Sequence, residues 1–383
     1  VTSSASPCEP LIPLLDLGSQ HAPLQAGLTA AFTRVIASER YILGAEVAAF
    51  EAELARLLGA PHVLGVSSGT DALVVALTAA GVGPGAEVIT APYSFFATAE
   101  AILRVGATPV FVDIEADSAC LSVEHVESRI TARTRAILPV HLFGAPAAPA
   151  RLAELAARRG LRLIEDACQA LGGSVDGRAL GTWGDAGCFS FFPSKPLGTV
   201  GDGGAVAFRD PQLFERARAL RSHGAPERHV HTEIGGNYRL DELHAALLRV
   251  KLPHVETWRA ARAAHARRYD AAFADLECLE LVGSGARASS AHAHYVVRVL
   301  EGRRARLMDA LARDGVQTAV YYPRPLHLQP ALSELGYRRG SFPVSERAAE
   351  ELLALPLYAE LEDIAIERVI RSVRSGLGRS RGE

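Results

Sequence analysis

The sequence predicts an α/β protein, a mostly parallel sheet covered by helices on both faces and followed by a smaller C-terminal α+β domain. Three observations carry this. Short apolar runs alternate with helical stretches from about Glu46 onward, the rhythm changes near Pro253, and 383 residues exceed one ordinary core. The expected boundaries are 11–252 for the large domain and 253–383 for the small one, with neither a low-complexity linker nor an internal repeat.

Val47, Phe50, Leu54, Leu57 and Leu58 recur at helical spacing, and a second helix runs from Asp71 to Ala80, where Gly81 stops it. A first strand spans Val63 to Val66. Further strand-length runs follow at Glu87 to Thr90, Pro109 to Asp113, Ala136 to Val140, Leu161 to Ile164 and Cys188 to Phe191, with a helix at Pro149 to Arg159. Their continuous apolar character suits strands buried on both faces. Helices at Leu240 to Lys251 and Val255 to Phe273 lead into the second rhythm: a strand at His294 to Leu300, a helix at Arg303 to Arg313, a strand at Val316 to Tyr321 and two terminal helices.

Composition excludes several classes of function. With 40 basic and 43 acidic residues and a net charge of -3, the chain offers no electrostatic footprint for nucleic acid or an anionic membrane. Cys8, Cys120, Cys168, Cys188 and Cys278 are scattered and form no CxxC, which argues against a disulfide framework or a zinc site. No apolar run approaches the roughly 20 residues that span a bilayer. Val1 to Pro10 has neither a basic nor an apolar leader region and reads as a frayed tail, so the chain is expected in the cytoplasm. His223, His229 and His231 include an HxH, but no carboxylate or thiol stands at ligand spacing, and no metal is expected. Arg259, Arg262, Arg267 and Arg268 fit a solvated helix face.

In sheets of this kind ligands collect at the carboxyl ends of the strands. Four strand ends carry groups that suit one ligand. Ser67-Ser68-Gly69-Thr70 opens directly into a helix; free amides, a hydroxyl and a glycine there make a phosphate site, although the same residues also make a plain N-cap. Tyr93-Ser94-Phe95-Phe96 places aromatics at the next end, whose plainer reading is core packing. Glu165-Asp166 ends an apolar strand, where a buried carboxylate needs a cationic or hydrogen-bonded partner, and a protonated pyridine nitrogen would serve. Ser190 then precedes Lys195, which stands among aromatics, prolines and glycines in a tight loop and would be a nucleophilic amine towards a carbonyl. Phosphate cradle, stacking aromatic, carboxylate and Schiff-base lysine together describe a pocket for pyridoxal 5'-phosphate.

The chain resembles the DegT/DnrJ/EryC1/StrS aminotransferases over nearly its whole length. The blocks that carry the resemblance are Glu39-Arg40-Tyr41-Ile42-Leu43-Gly44, Ser68-Gly69-Thr70-Asp71-Ala72-Leu73, Pro139-Val140-His141-Leu142-Phe143-Gly144, Glu165-Asp166-Ala167-Cys168-Gln169-Ala170, the Lys195 loop through Gly204, and Asn237-Tyr238-Arg239-Leu240-Asp241. The resemblance implies fold type I of the pyridoxal-phosphate enzymes, a seven-stranded, mostly parallel sheet sandwiched by helices.

By that resemblance Lys195 would hold the cofactor and shuttle the proton, Asp166 would pair with the ring nitrogen, Phe95 would stack on the ring, and Gln169 would contact its hydroxyl. Gly69, Thr70 and Ser190 would hold the phosphate, completed by Asn237 from the other subunit of a homodimer with shared sites. Arg239, Tyr321, Tyr322 and His327 would contact a nucleotide sugar. Some relatives carry histidine in place of the lysine and do not transaminate, so Lys195 implies amino transfer from L-glutamate to a nucleotide-linked ketosugar.

The stretch Ala319 to Gln329 resembles members that act at C3 more than those acting at C4. Phe192 and Pro196 depart from the tyrosine and asparagine of many C3 enzymes of 6-deoxysugars and resemble enzymes of 3-keto uronic acids. Amination at C4 of the sugar, a ketocyclitol acceptor, or a non-catalytic regulatory protein that keeps the pocket are the alternatives.

Overall fold

The computed structural model describes residues 10–283, 285 and 289–378. The expected N-terminal tail lies outside the described residues except for Pro10. The seven strands of the main sheet are β1 (His62–Val66), β2 (Glu87–Thr90), β3 (Thr108–Phe111), β4 (Thr134–Leu138), β5 (Arg162–Asp166), β6 (Ala186–Ser190) and β7 (Gly204–Phe208). Their spatial order is β1-β7-β6-β5-β4-β2-β3. Neighbours pair in parallel from β3 through β6, and only β7 runs antiparallel to both its neighbours.

Side chains alternate across this sheet as the two-residue strand period requires. Leu64, Val88, Leu138, Ile164, Cys188 and Val206 face one core, shared with the helices Gly69–Ala79, Ala97–Arg104 and Pro211–Arg221. Val63, Ile89, Ile137, Leu163, Phe189 and Ala205 face the other side, under the helices Ala45–Leu58, Pro149–Arg159 and Glu242–Lys251. The helix Gly69–Ala79 is apolar almost all round because it lies against the middle of the sheet with eight of its residues buried.

A second, antiparallel sheet joins β8 (Leu279–Leu281), β9 (Tyr295–Val299) and β10 (Leu352–Leu355). It packs on Tyr269 and Phe273 of the long helix Val255–Phe273, on Leu307 and Leu311 of Arg304–Arg313, and on Val369 and Val373 of Asp363–Gly378. Ile12 reaches the same core from the chain's other end and bridges to Val316.

Two expectations about elements need correction. Val316 to Tyr321 is not a strand: it touches neighbours only through single bridges, Ile12 with Val316 and Ala319 with Ala354. After these two bridges it leads to Tyr321, whose carbonyl meets the Tyr93 hydroxyl. The last two helices, Pro343–Glu351 and Asp363–Gly378, are separated by β10, whose run of leucines continues the apolar pattern of the helix before it. β7 and the helices Gln25–Ser38 and Pro211–Arg221 are further elements that the sequence reading did not identify. No helix among the described residues is long and apolar enough to cross a membrane.

Candidate active site

The carboxyl ends of β1, β2, β5 and β6 open into one cavity of about 500 Å³. Of the residues singled out from sequence, Gly69, Thr70, Phe95, Asp166, Gln169, Ser190, Lys195, Tyr321 and Tyr322 all line it.

After β1, Ser68 caps the helix, its hydroxyl accepting from the Asp71 amide at 3.0 Å, while Asp71 accepts from the Ser67 hydroxyl at 2.7 Å. The capping reading therefore holds for Ser68. Gly69 and Thr70 remain on the cavity wall, at a helix end whose first amides have no acceptor within the helix. Gly69 lies so close to β6 that a Cβ on it would come within 2.7 Å of the Ser190 Cβ and 3.0 Å of the Cys168 Sγ.

After β2 the chain splits its aromatics between core and site. Tyr93 is buried and Phe95 is 56% exposed, tilted against Tyr322 with ring centroids 5.9 Å apart. The core-packing reading suits the first and not the second.

At the end of β5 two adjacent carboxylates have opposite surroundings. Glu165 is fully saturated: it accepts from His141 Nε2 at 2.9 Å and from the amides of Gly181, Trp183 and Gly184 at 3.0, 2.6 and 2.8 Å. His141 in turn accepts from the Ala147 amide on Nδ1 at 3.0 Å, which makes Nε2 the donor to Glu165. Asp166 points the other way, into the cavity, and receives the Thr98 hydroxyl at 2.8 Å and the Cys168 amide at 3.2 Å. These donors do not use all the lone pairs of a carboxylate, which can also accept from a cationic N–H.

Gln169 is oriented by the Phe143 amide, which donates to its Oε1 at 2.7 Å, and its Nε2 donates to the Tyr322 hydroxyl at 3.2 Å. Lys195 sits in a turn closed by its own amide donating to the Phe192 carbonyl at 2.9 Å. Tyr321 and Tyr322 are brought over the cavity by Tyr93, whose hydroxyl donates to the Tyr321 carbonyl at 2.8 Å and accepts from the Tyr322 amide at 2.8 Å. Burial pushes the phenols of Tyr93 and Tyr322 up, and burial together with Asp166 raises the Cys168 thiol, so all three are neutral.

Three expected residues lie elsewhere. His327 is 2% exposed, packs against Phe342 and hydrogen-bonds Glu346 at 3.0 Å through Nε2; the apolar cluster that surrounds it removes it from the cavity. Asn237 is exposed on a segment that bridges to Ser222. Arg239 bridges to Val66 through its backbone, and its buried Nε has no hydrogen-bond partner.

Sequence reasoning did not identify Tyr93 as a clamp, Thr98 as the orienting donor of Asp166, or His294. The last lines the cavity beside Tyr321, with ring centroids 4.7 Å apart. Burial first, then the charges of Lys195 and Arg262, pull the His294 imidazole down to about 3. The four-residue spacing of Ser94 and Thr98, whose hydroxyls are 2.8 Å apart, is the one local signal that points to Thr98.

This donor set fits pyridoxal 5'-phosphate. A buried carboxylate, a glycine-lined helix terminus beside Ser190, an exposed phenyl ring and an amine all line the one cavity.

A model of the DegT/DnrJ/EryC1/StrS aminotransferase family matches residues 24–374. The chain is 44% identical over 365 residues to the erythromycin biosynthesis sensory transduction protein EryC1 of Saccharopolyspora erythraea, covering 95% of this chain and 99% of that protein. It is 42% identical over 365 residues to the dTDP-3-amino-3,4,6-trideoxy-alpha-D-glucose transaminase of Streptomyces venezuelae, covering 95% and 96%. Among solved structures, S. venezuelae DesV in complex with ketimine intermediate superposes with a TM-score of 0.94 at 42% identity, over 98% of this chain and 100% of that one.

Proposed function

Because the chain belongs to the DegT/DnrJ/EryC1/StrS aminotransferase family, we propose that it moves an amino group from L-glutamate to C3 of a nucleotide-linked 3-ketosugar, with pyridoxal 5'-phosphate as its cofactor. The observation that carries this reading is the single cavity shared by Lys195, Asp166 and the Gly69 helix terminus.

When bound, the cofactor supplies an electron sink for carbanion charge at the carbon that loses its proton. Asp166, oriented by Thr98, would accept from the ring nitrogen and keep it protonated. Gly69, Thr70 and Ser190, which line the cavity at the helix terminus, would hold the phosphate through backbone amides and hydroxyls. Phe95 and Gln169, also on the cavity wall, would meet the ring and its hydroxyl. The Lys195 amine would hold the cofactor and, once released, take and return the proton at the reacting carbon of donor and acceptor in turn. Tyr321 and Tyr322, held by Tyr93, cover the sugar and exclude water from the proton path.

Asn237 and Arg239 lie away from the cavity of their own chain, which supports their acting in the site of a second copy in a homodimer. The unpartnered Arg239 Nε is in keeping with a ligand on the far side of that interface.

Incubation of the cofactor-loaded protein with L-glutamate alone tests the donor half. One 2-oxoglutarate per site is expected, and none would remove glutamate as the donor.

A further inference from the structure

Lys251 ends the helix Glu242–Lys251 and is 1% exposed, one of the largest fully buried side chains in the molecule. A buried ammonium is costly, and an apolar side chain of similar volume fills space better unless the charge holds something in place. What it holds is a backbone carbonyl. Its Nζ donates to Gly198 O at 2.6 Å and meets His21 Nε2 at 3.1 Å. Burial, and secondarily the charge of Lys251, hold the His21 ring below its ordinary value, so His21 is neutral and accepts. The Trp258 ring lies 6.0 Å from the ammonium, and the Glu360 carboxylate, whose buried Oε2 has no hydrogen-bond partner, acts on Lys251 and on Arg262 through charge alone.

Gly198 stands three residues after Lys195. Backbone bonds close the neck of this loop, Thr199 N donating to Phe191 O at 2.8 Å and Phe191 N to Gly203 O at 2.8 Å. The loop folds back on itself so closely that a Cβ at Gly198 would come within 2.3 Å of the Pro193 carbonyl. Lys251, which does not line the cavity, fastens the loop from a separate helix.

We propose that Lys251 is a positioning residue: its ammonium fixes the loop 192–203 at the Gly198 carbonyl and thereby sets where the Lys195 amine stands in the cavity. A bond from an ammonium is stronger than one from a neutral amine. Burial brings Lys251 down to about 8, so the fastening weakens as pH rises through that value. The effect on global stability has the opposite sign. Between about 8 and the ordinary 10.5 the unfolded chain binds more protons at this site than the folded one, so this group makes the fold more stable as pH rises there. Among the described residues, His21 by contact and Glu360 by charge are the titratable groups that act on it, and Glu360 is itself influenced by Arg262 and Asp16.

The test compares K251M and K251R with the unmodified holoenzyme in kcat, KM for glutamate and hydrogen exchange of the peptide covering 192–203. Because the role depends on Lys195 being the cofactor-bearing residue, borohydride trapping at Lys195 is measured alongside; its absence in the unmodified protein would reject that reading, and not Lys251. With trapping intact, K251M is expected to lose roughly tenfold or more in kcat with KM nearly unchanged, and to exchange faster by a similar factor in the loop but not in β4 or β5, whereas K251R recovers most of both. A K251M protein with a lower Tm but unchanged kcat and loop exchange, or with exchange raised equally everywhere, overturns the proposal. Should K251M not fold, the unmodified protein decides: loop protection, corrected for intrinsic exchange, falls as pH rises through about 8 while that of β5 does not, and a flat loop profile overturns the proposal.

Discussion

Thr98 donates its hydroxyl hydrogen to Asp166 Oδ2 at 2.8 Å, and Ser94 stands behind it at 2.8 Å from the same hydroxyl. The pair fixes which face of the carboxylate looks into the cavity. Asp166→Asn removes the charge that keeps the ring nitrogen protonated, and kcat is expected to fall on the order of 100-fold. Thr98→Val leaves the charge but not its orientation, so a smaller loss, about tenfold, is expected. Steady-state kinetics at saturating cofactor checks both, and equal losses for the two would contradict this division of roles.

Lys195→Ala is expected to abolish borohydride-stable attachment of the cofactor and to reduce turnover by on the order of 10²- to 10⁴-fold. Mass spectrometry of the reduced protein reads the first and a coupled assay of 2-oxoglutarate the second. Full activity in this variant would place the proton transfer elsewhere.

Gly69→Ala puts a methyl group where Ser190 Cβ is only 2.7 Å away. Overpacking of this kind costs about 1–3 kcal/mol. Since the displaced wall is the one proposed to hold the cofactor phosphate, most of the effect is expected as weaker cofactor binding, measured by fluorescence titration, with a smaller loss of Tm in the cofactor-free protein. An unchanged cofactor affinity would remove Gly69 from the phosphate site.

That Gly69, Asp166, Ser190 and Lys195 meet in one cavity was legible because each stands in a short segment at the end of an apolar strand. Glu165 and Asp166 show the limit of that reading. Both end β5, and it is His141 together with the amides of Gly181, Trp183 and Gly184, brought up by a later turn, that saturates the first, while the second faces the cavity. Tyr93 was out of reach because its partners Tyr321 and Tyr322 stand more than two hundred residues away. His327 misled for the converse reason: it follows the two tyrosines closely in sequence, yet the turn Leu326–Leu328 sends its ring into the cluster around Phe342.

Tyr93→Phe removes the acceptor of the Tyr322 amide and the donor to the Tyr321 carbonyl together. Stability is expected to fall by about 1–3 kcal/mol, with a raised KM for the sugar and little change in KM for glutamate. A loss shared equally between the two substrates would place Tyr321 and Tyr322 outside the sugar site.

His294 gives a pH signature. Its imidazole is held down to about 3 by burial and by Lys195 and Arg262, against 6.5 in the unfolded chain. Below 6.5 the unfolded chain binds a proton that the folded chain refuses, so stability falls as pH drops from about 6.5 towards 3 and is unaffected by this group above that window. His294→Asn is therefore expected to flatten the acid side of the Tm profile while leaving the neutral side in place. An equally steep acid side in the variant would assign the loss to other groups.

Amino transfer at C3 of a nucleotide-linked sugar can be run backwards, so reverse transamination reads the position of the amine. The cofactor-loaded protein is given 2-oxoglutarate and a panel of nucleotide-linked 3-amino and 4-amino sugars, with either a methyl or a carboxylate at C6, and glutamate is followed. Turnover with 3-amino sugars is the expected result, and the better of the two C6 groups identifies the acceptor class. Turnover with 4-amino sugars alone, or none with any sugar while the cofactor is bound at Lys195, would contradict it.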